Sequence, residues 1–107
     1  MIIAVDFDGT LCEDKYPEIG QAYENRIRFL KCLKTDPSTR LILWTCRNGD
    51  ALQNAVRWCE EHDLHFDAVN CNLPEILEKW GGDTRKVFCD YYIDDKNISF
   101  LELAERL

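Results

Sequence analysis

The sequence lacks an excess of positive charge. Its 107 residues include 13 Lys and Arg against 20 Asp and Glu, which gives a formal net charge of −7. Proteins that bind the backbone of DNA or RNA gain affinity when cationic side chains neutralise phosphates and release counterions. We therefore expect no general nucleic-acid partner. An acidic site would also repel a phosphate ester unless a cation lay between them, so clustered acidic residues are candidate metal ligands.

Paired cysteines and long apolar runs are also missing. The six cysteines form no Cys-x-x-Cys pair and have no zinc-like histidine spacing, so we predict free thiols in a reducing compartment. They are Cys12, Cys32, Cys46, Cys59, Cys71 and Cys89. No apolar run is long enough to span a membrane, and Met1 leads into a strand without the basic segment of a signal peptide. We expect a cytoplasmic protein with no membrane partner.

The chain is too short for a second domain and contains neither a repeat nor a linker. Its 46% of apolar residues is enough to form one core, and its 31% of charged residues is ordinary for a globular protein. We predict a single domain that spans residues 1–107.

Strand-like and helical segments alternate along the chain. Four short apolar segments are predicted to be strands, and the first two have the character of buried strands. They are Ile2–Val5, Leu41–Trp44, Phe66–Val69 and Val87–Ile93. Helical spacing or capping residues predict helices between and after them. These helices run from Ile19 to Leu33, from Asn48 past Cys59, from Pro74 to Trp80, and from a cap at Asn97 onward. The order βαβαβαβα predicts an α/β fold with a parallel sheet and helices on both faces.

Polar residues stand where each predicted strand ends. They are Asp6 and Asp8, Thr45, Asn70, and Asp94 with Asp95. In open parallel sheets, ligands bind beyond the carboxyl ends of the strands, where the strand order reverses. We therefore expect the functional site at this edge.

The carboxylates at this edge favour a magnesium site. Neighbouring carboxylates raise one another's pKa, and a hard divalent cation removes the conflict. Mg²⁺ prefers oxygen ligands, and Asp6 and Asp94 are its candidate ligands. Asp8 is better placed for proton transfer, because alternate strand residues point to different sides.

The other residue types at this edge suit a phosphoryl group. A carboxylate can attack phosphorus to form an aspartyl-phosphate, while a metal ion neutralises the phosphoryl oxygens. Thr45 offers a hydroxyl donor, Lys86 offers a positive charge, and Gly9 lets backbone N–H groups approach the phosphate. Arg47 and Asn48 are either substrate contacts or parts of a loop and helix cap.

Segments along nearly the whole chain resemble the motifs of haloacid-dehalogenase-like phosphatases. The run Ile3-Ala4-Val5-Asp6-Phe7-Asp8-Gly9-Thr10-Leu11 is similar to their first motif. Leu43-Trp44-Thr45 resembles the second motif, Lys86 fits the third, and Tyr92-Ile93-Asp94-Asp95 resembles the fourth. The run from Lys86 through Asp90 to Lys96 is also similar to the end of the deoxyribonucleotidases of this superfamily.

This resemblance implies a role for each matching residue. Asp6 would be the nucleophile and a Mg²⁺ ligand. Asp8 would be the general acid and then the base, and would ligate the metal through its backbone carbonyl. Asp94 and Asp95 would complete the metal site, Asp95 directly or through water. The implied phosphate-binding residues are Thr45, Lys86, Gly9 and Thr10.

The resemblance also implies a Rossmann-like three-layer sandwich. The four predicted strands, counted in chain order, would lie in the order 3-2-1-4, so that Asp6 and Asp94 meet. Members of the superfamily usually carry a cap domain, but predicted elements fill this chain from Leu11 to Arg85. We expect a compact capless member whose open site is covered by a large substrate or by a second subunit of a homo-oligomer. The class of phosphorylated substrate is left open.

Two other functions are alternatives to a phosphatase. A receiver-like phosphoacceptor also gathers acids, a Thr and a Lys around magnesium, but its phosphoacceptor follows the third strand, where this chain has Asn70. A catalytically idle phosphate-binding module is the other alternative. The presence of both Asp6 and Asp8 argues against it.

Overall fold

A parallel sheet with helices between its strands forms the body of the protein. The computed structural model describes all 107 residues. The strands are β1 (Ile2–Val5), β2 (Cys12–Lys15), β3 (Glu18–Ala22), β4 (Arg40–Leu43), β5 (Ala68–Val69) and β6 (Tyr91–Ile93). The helices are α1 (Glu24–Leu33), α2 (Gly49–Glu61), α3 (Pro74–Trp80) and α4 (Phe100–Arg106). The predicted α/β fold with a parallel sheet is confirmed.

The first strand lies inside the sheet. The order of the four-stranded sheet is β5-β4-β1-β6, and every pairing in it is parallel. Val5, the last residue of β1, lies beside Leu43 of β4 and Ile93 of β6. The chain runs from β1 outward to β5 and then returns to the other side of β1. The strand order therefore reverses at β1, and the residues after β1, β4 and β6 meet at one edge.

Buried clusters cover both faces of the sheet. Ile3 and Val5 belong to a cluster that includes Leu30 of α1 and Ala55 of α2. Ala4 lies between them in sequence and belongs to a smaller cluster on the other face, against which α3 packs. Alternate strand residues point to opposite faces, which explains why the central strand is apolar at every position.

An antiparallel hairpin replaces the start of the predicted first helix. β2 pairs with β3, and α1 begins only at Glu24. The helical spacing of Ile19 was misleading, because this side chain packs on the larger cluster from a strand. A Cβ at Gly20 would lie 2.4 Å from the carbonyl oxygen of Glu13, so the close approach of the two strands requires glycine.

Strands β5 and β6 are shorter than predicted. Just before each strand, an aspartate side chain accepts the hydrogen bond from the neighbouring strand that a backbone carbonyl would otherwise accept. The Asp67 carboxylate accepts a hydrogen bond from Leu41 N at 2.8 Å. The Asp90 carboxylate accepts one from Ile2 N at 2.7 Å. Each carboxylate satisfies a strand N–H that a longer neighbouring strand would otherwise satisfy.

The last helix begins later than predicted. Ser99 caps it in a capping box with Glu102, whereas Asn97 was the predicted cap. Two apolar side chains of this helix, Phe100 and Leu101, are 94% and 78% exposed. None of the helices combines the length and apolar character that crossing a membrane requires.

Candidate active site

A cleft of about 450 Å³ opens at the carboxyl ends of β1, β4 and β6. The predicted residues that line it are Asp6, Asp8, Thr45, Arg47, Asp94 and Asp95. The lining residues that the sequence analysis did not single out are Asp14, Tyr16, Cys46 and Lys96. The predicted edge of the sheet is therefore where the polar residues converge.

Three carboxylates form the centre of the cleft. One oxygen of each of Asp6, Asp94 and Asp95 lies within 4.8 Å of the others. Asp6 N donates to Ile93 O at 2.9 Å, which extends the pairing of β1 with β6 and carries Asp6 to the start of the Asp94-Asp95 segment. The donor set consists of oxygen atoms alone, which suits Mg²⁺.

The environment of Asp6 is short of positive charge. The pKa of Asp6 is raised from 3.8 to about 6, chiefly by burial and also by the nearby carboxylates of Asp94 and Asp95. Hydrogen bonds from the backbone of Phe7 and from Thr10 act in the opposite direction. A divalent cation among the three carboxylates would remove the repulsion, so the residues present fit a metal ion.

The turn after β1 fits closely around two of these carboxylates. Thr10 Oγ1 donates to Asp6 Oδ2 at 3.1 Å, and Thr10 is 4% exposed. Thr10 therefore hydrogen-bonds Asp6, and its contact with phosphate stays a prediction. Gly9 has a φ of 80°, and a Cβ there would lie 2.3 Å from Asp95 Oδ2. Glycine is required at this position by its backbone and by the closeness of Asp95.

Asp8 points away from this group of carboxylates and binds Arg47. Arg47 Nε and Nη2 donate to the two oxygens of Asp8, each at 2.8 Å. The Arg47 side chain is 1% exposed and that of Asp8 is 17% exposed. Asp8 therefore borders the cleft as half of an ion pair, and its side chain does not join the three converging carboxylates.

Asn70 fixes the turn that presents Thr45. Asn70 ends β5 with a φ of 54°, and its Oδ1 accepts a hydrogen bond from Thr45 N at 2.8 Å. Its Nδ2 donates to Arg47 O at 3.4 Å. The Thr45 hydroxyl accepts from Arg47 N at 3.1 Å, so its own hydrogen is free to be donated into the cleft.

Lys86 does not line the cleft, and its contact with phosphate stays a prediction. Its Nζ lies 5.5 Å from the centre of the Tyr92 ring, and the residue borders a separate groove beside α3. Lys96 lines the cleft instead, and its backbone N–H donates to Asp94 Oδ1 at 2.8 Å. The position of Lys96 directly after the paired acids was a signal that could have identified it. Asn48 is the exposed N-cap of α2 and does not line the cleft.

The hairpin contributes two cleft residues that the sequence analysis missed. Asp14 and Tyr16 line the cleft from the hairpin formed by β2 and β3. Tyr16 N donates to Asp14 Oδ1 at 3.3 Å, and the Tyr16 ring centre lies 5.2 Å from Arg47 Cζ. Their positions follow from an antiparallel pairing that the prediction of a loop and a helix did not contain.

A solved structure of a conserved protein from Bacteroides thetaiotaomicron resembles this chain. The two share 43% sequence identity and superpose with a TM-score of 0.81, over 92% of this chain and 78% of the other. No profile of a known protein family matches the chain, and no curated protein matches it. Identity and coverage of this extent go beyond a shared architecture. The chain belongs to the same family as this conserved Bacteroides protein.

Proposed function

We propose that the protein is a magnesium-dependent phosphomonoesterase of the haloacid-dehalogenase-like type. The observation that carries this proposal is the convergence of Asp6, Asp94 and Asp95, with oxygens within 4.8 Å, in a cleft that Thr45 also lines. A half-buried carboxylate among other carboxylates suits a metal-assisted nucleophile better than a structural ion pair. The HAD-like core and the strand order expected for it belong to the same proposal.

Asp6, Asp94 and Asp95 are the proposed Mg²⁺ ligands. The ion would supply positive charge to the phosphoryl oxygens during transfer. The protein itself supplies one cation to the cleft lining besides the paired Arg47, namely Lys96. In the proposed site Lys96 takes the phosphate-binding role for which Lys86 had been predicted.

The proposed reaction has two steps on Asp6. Thr10 holds Asp6 Oδ2, so the other carboxylate oxygen forms the bond to phosphorus while the bond to the ester oxygen breaks. Asp8 gives a proton to the departing oxygen, and the Thr45 hydroxyl donates to a phosphoryl oxygen. Water then attacks the aspartyl-phosphate, Asp8 takes its proton, and inorganic phosphate leaves with Asp6 restored.

The leaving-group side of the cleft has few groups with which to hold a substrate. Asp14 and Tyr16 of the hairpin line the cleft and are the proposed neighbours of the leaving group, and no cap domain is inserted in the chain. With little remote binding energy available, we expect a high KM for small esters. The proposed substrate is a phosphomonoester that brings its own contacts, or one that is enclosed when a second copy of the chain covers the cleft.

Turnover of an aryl phosphate tests the proposal. The purified protein should hydrolyse p-nitrophenyl phosphate with Mg²⁺ and stop with excess chelator. Asp6→Asn should remove turnover, whereas Asp14→Asn, a change of equal size and charge in the same cleft, should alter mainly KM. Beryllofluoride should bind the parent and not Asp6→Asn, as observed by ¹⁹F NMR. Equal rates with and without metal, or an active Asp6→Asn protein, would refute the proposal.

A further inference from the structure

Arg47 is a buried cation next to an open cleft. A guanidinium is rarely withdrawn from water unless other groups replace its hydration, and the Arg47 side chain is 1% exposed. The cleft beside it is acidic and would accept an arginine that faced substrate. Because the Arg47 side chain is buried, we expect it to interact with other groups of the protein and not with substrate.

Every N–H group of the Arg47 guanidinium has an acceptor. Nε and one hydrogen of Nη2 bind the two oxygens of Asp8, both at 2.8 Å. Nη2 also donates to Glu18 O at 2.8 Å. Nη1 donates to Pro17 O at 3.2 Å and to Ala51 O at 3.3 Å. An arginine has five such donors, so none is left for a phosphate.

These acceptors belong to three separate parts of the chain. Asp8 follows β1, Ala51 lies in the first turn of α2, and Pro17 and Glu18 belong to the hairpin. The hairpin also carries the cleft-lining residues Asp14 and Tyr16. The Arg47 side chain therefore connects the carboxylate of Asp8 with the hairpin that lines the cleft.

We propose that Arg47 is a positioning residue, which fixes the carboxylate of Asp8 for proton transfer and ties it to the hairpin. This inference rests on the proposed function. A fork of two parallel hydrogen bonds sets both the place and the plane of a carboxylate, which a lysine ammonium cannot do. Each oxygen of Asp8 keeps a second lone pair, so it can carry or accept a proton without losing its bond to Arg47.

Two esters with different leaving groups distinguish a positioning role of Arg47 from contact with substrate and from a purely structural role. An alkyl phosphate needs a proton on its departing oxygen, whereas p-nitrophenolate leaves without one. Arg47→Lys should lower kcat for the alkyl ester by about 10-fold or more, part of the 10²–10⁴-fold that a positioned acid supplies, and leave KM nearly unchanged. The aryl ester should be affected much less. Arg57→Met, on the exposed face of α2, is the matched control and should change neither.

Two other outcomes would overturn the assignment. If Arg47 contacts substrate, Arg47→Lys raises KM for both esters. If Arg47 only supports the fold, kcat falls equally for both esters, and the loss adds to that of Asp8→Asn. If Arg47 positions Asp8, the variant that carries both Arg47→Lys and Asp8→Asn hydrolyses the alkyl ester no more slowly than Asp8→Asn alone. Both changes remove the same proton transfer.

Hydrogen exchange tests the link to the hairpin without any turnover. Backbone amides of residues 12–22 should exchange faster in Arg47→Met than in the parent or in Arg57→Met. If Arg47→Met does not fold, Arg47→Lys serves in its place, because it also lacks the fork. Unchanged exchange in the hairpin would overturn the link. A parent protein that hydrolyses neither ester would refute the proposed function, while this comparison would still decide whether Arg47 holds the hairpin.

Discussion

Replacing Asp6 by Asn should stabilise the metal-free protein at neutral pH. Asp6 is half-buried beside other carboxylates, and burial followed by their repulsion raises its pKa from 3.8 to about 6. Its ionised form is therefore unfavourable in the folded protein. Asparagine has nearly the same size, retains an oxygen that accepts the hydrogen bond from Thr10, and carries no charge.

The sign and size of the effect follow from the pKa of Asp6. At Asp6 the folded protein binds more protons than the unfolded chain between about pH 4 and pH 6, so the contribution of this residue to stability decreases as the pH rises through this range. A rise from 3.8 to about 6 corresponds to about 3 kcal/mol for a fully shielded group. Solvent screening of a half-buried carboxylate reduces this to about 1 kcal/mol. We expect a Tm about 5 °C above that of the parent at pH 7, and little difference at pH 4.

Thermal unfolding with chelator at pH 4 and pH 7, and with Mg²⁺ at pH 7, measures this effect. Bound Mg²⁺ should stabilise the parent by about 2.7 kcal/mol at a concentration of 100 times Kd, and should stabilise Asp6→Asn much less, so the order of the two Tm values reverses. Glu105→Gln, on exposed helix α4, controls for the change in net charge. An Asp6→Asn protein that is less stable than the parent without metal at pH 7, or equally stabilised at both pH values, would refute the reasoning.

Two further pairs of variants test the geometry of the cleft. Gly9→Ala should lose about 1–2 kcal/mol of stability from its positive φ alone and should also bind Mg²⁺ more weakly in calorimetric titration, because the new Cβ displaces Asp95. Gly49→Ala also has a positive φ but no atom within 4 Å, so it should lose stability without losing metal affinity; equal metal binding by both variants would contradict the contact. Lys96→Met should weaken competitive inhibition by inorganic phosphate, whereas Lys86→Met should not, and the opposite result would return the phosphate-binding role to Lys86.

The edge of the sheet was predictable because its signals are local. A buried parallel strand is a continuous apolar run, and the residue that ends the run is the first to reach solvent. Val5 ends such a run, and Ile93 ends the partly exposed strand β6. The two residues are register partners, so the aspartates that follow them had to meet once the strands paired. Topology therefore brought Asp6 and Asp94 together without any information about side chains.

The hairpin was not predictable because its pattern suits two structures. Ile19 and Tyr23 are four residues apart, which is helical spacing, yet Ile19 packs on the core equally well from a strand. The deciding contact lies between two strands: only glycine fits at position 20, because the strand that carries Glu13 approaches too closely for a Cβ. A single periodicity cannot reveal a contact with a strand that has not yet been placed.

The pairing of Asp8 with Arg47 was not predictable either, because it joins two segments whose relative placement the sequence pattern does not show. This pairing distinguishes Asp8 from Asp6, which looks similar in sequence. They are two residues apart, but Asp6 faces Asp94 and Asp95, whereas Asp8 faces a buried guanidinium. Asp6 has no such partner cation from the protein, which is why Mg²⁺ is proposed as its neighbour. Asp8 has its own, which leaves it outside the metal site and fixed in one orientation. The proposed division between nucleophile and proton carrier therefore rests on the neighbours of each carboxylate, which only the folded chain supplies.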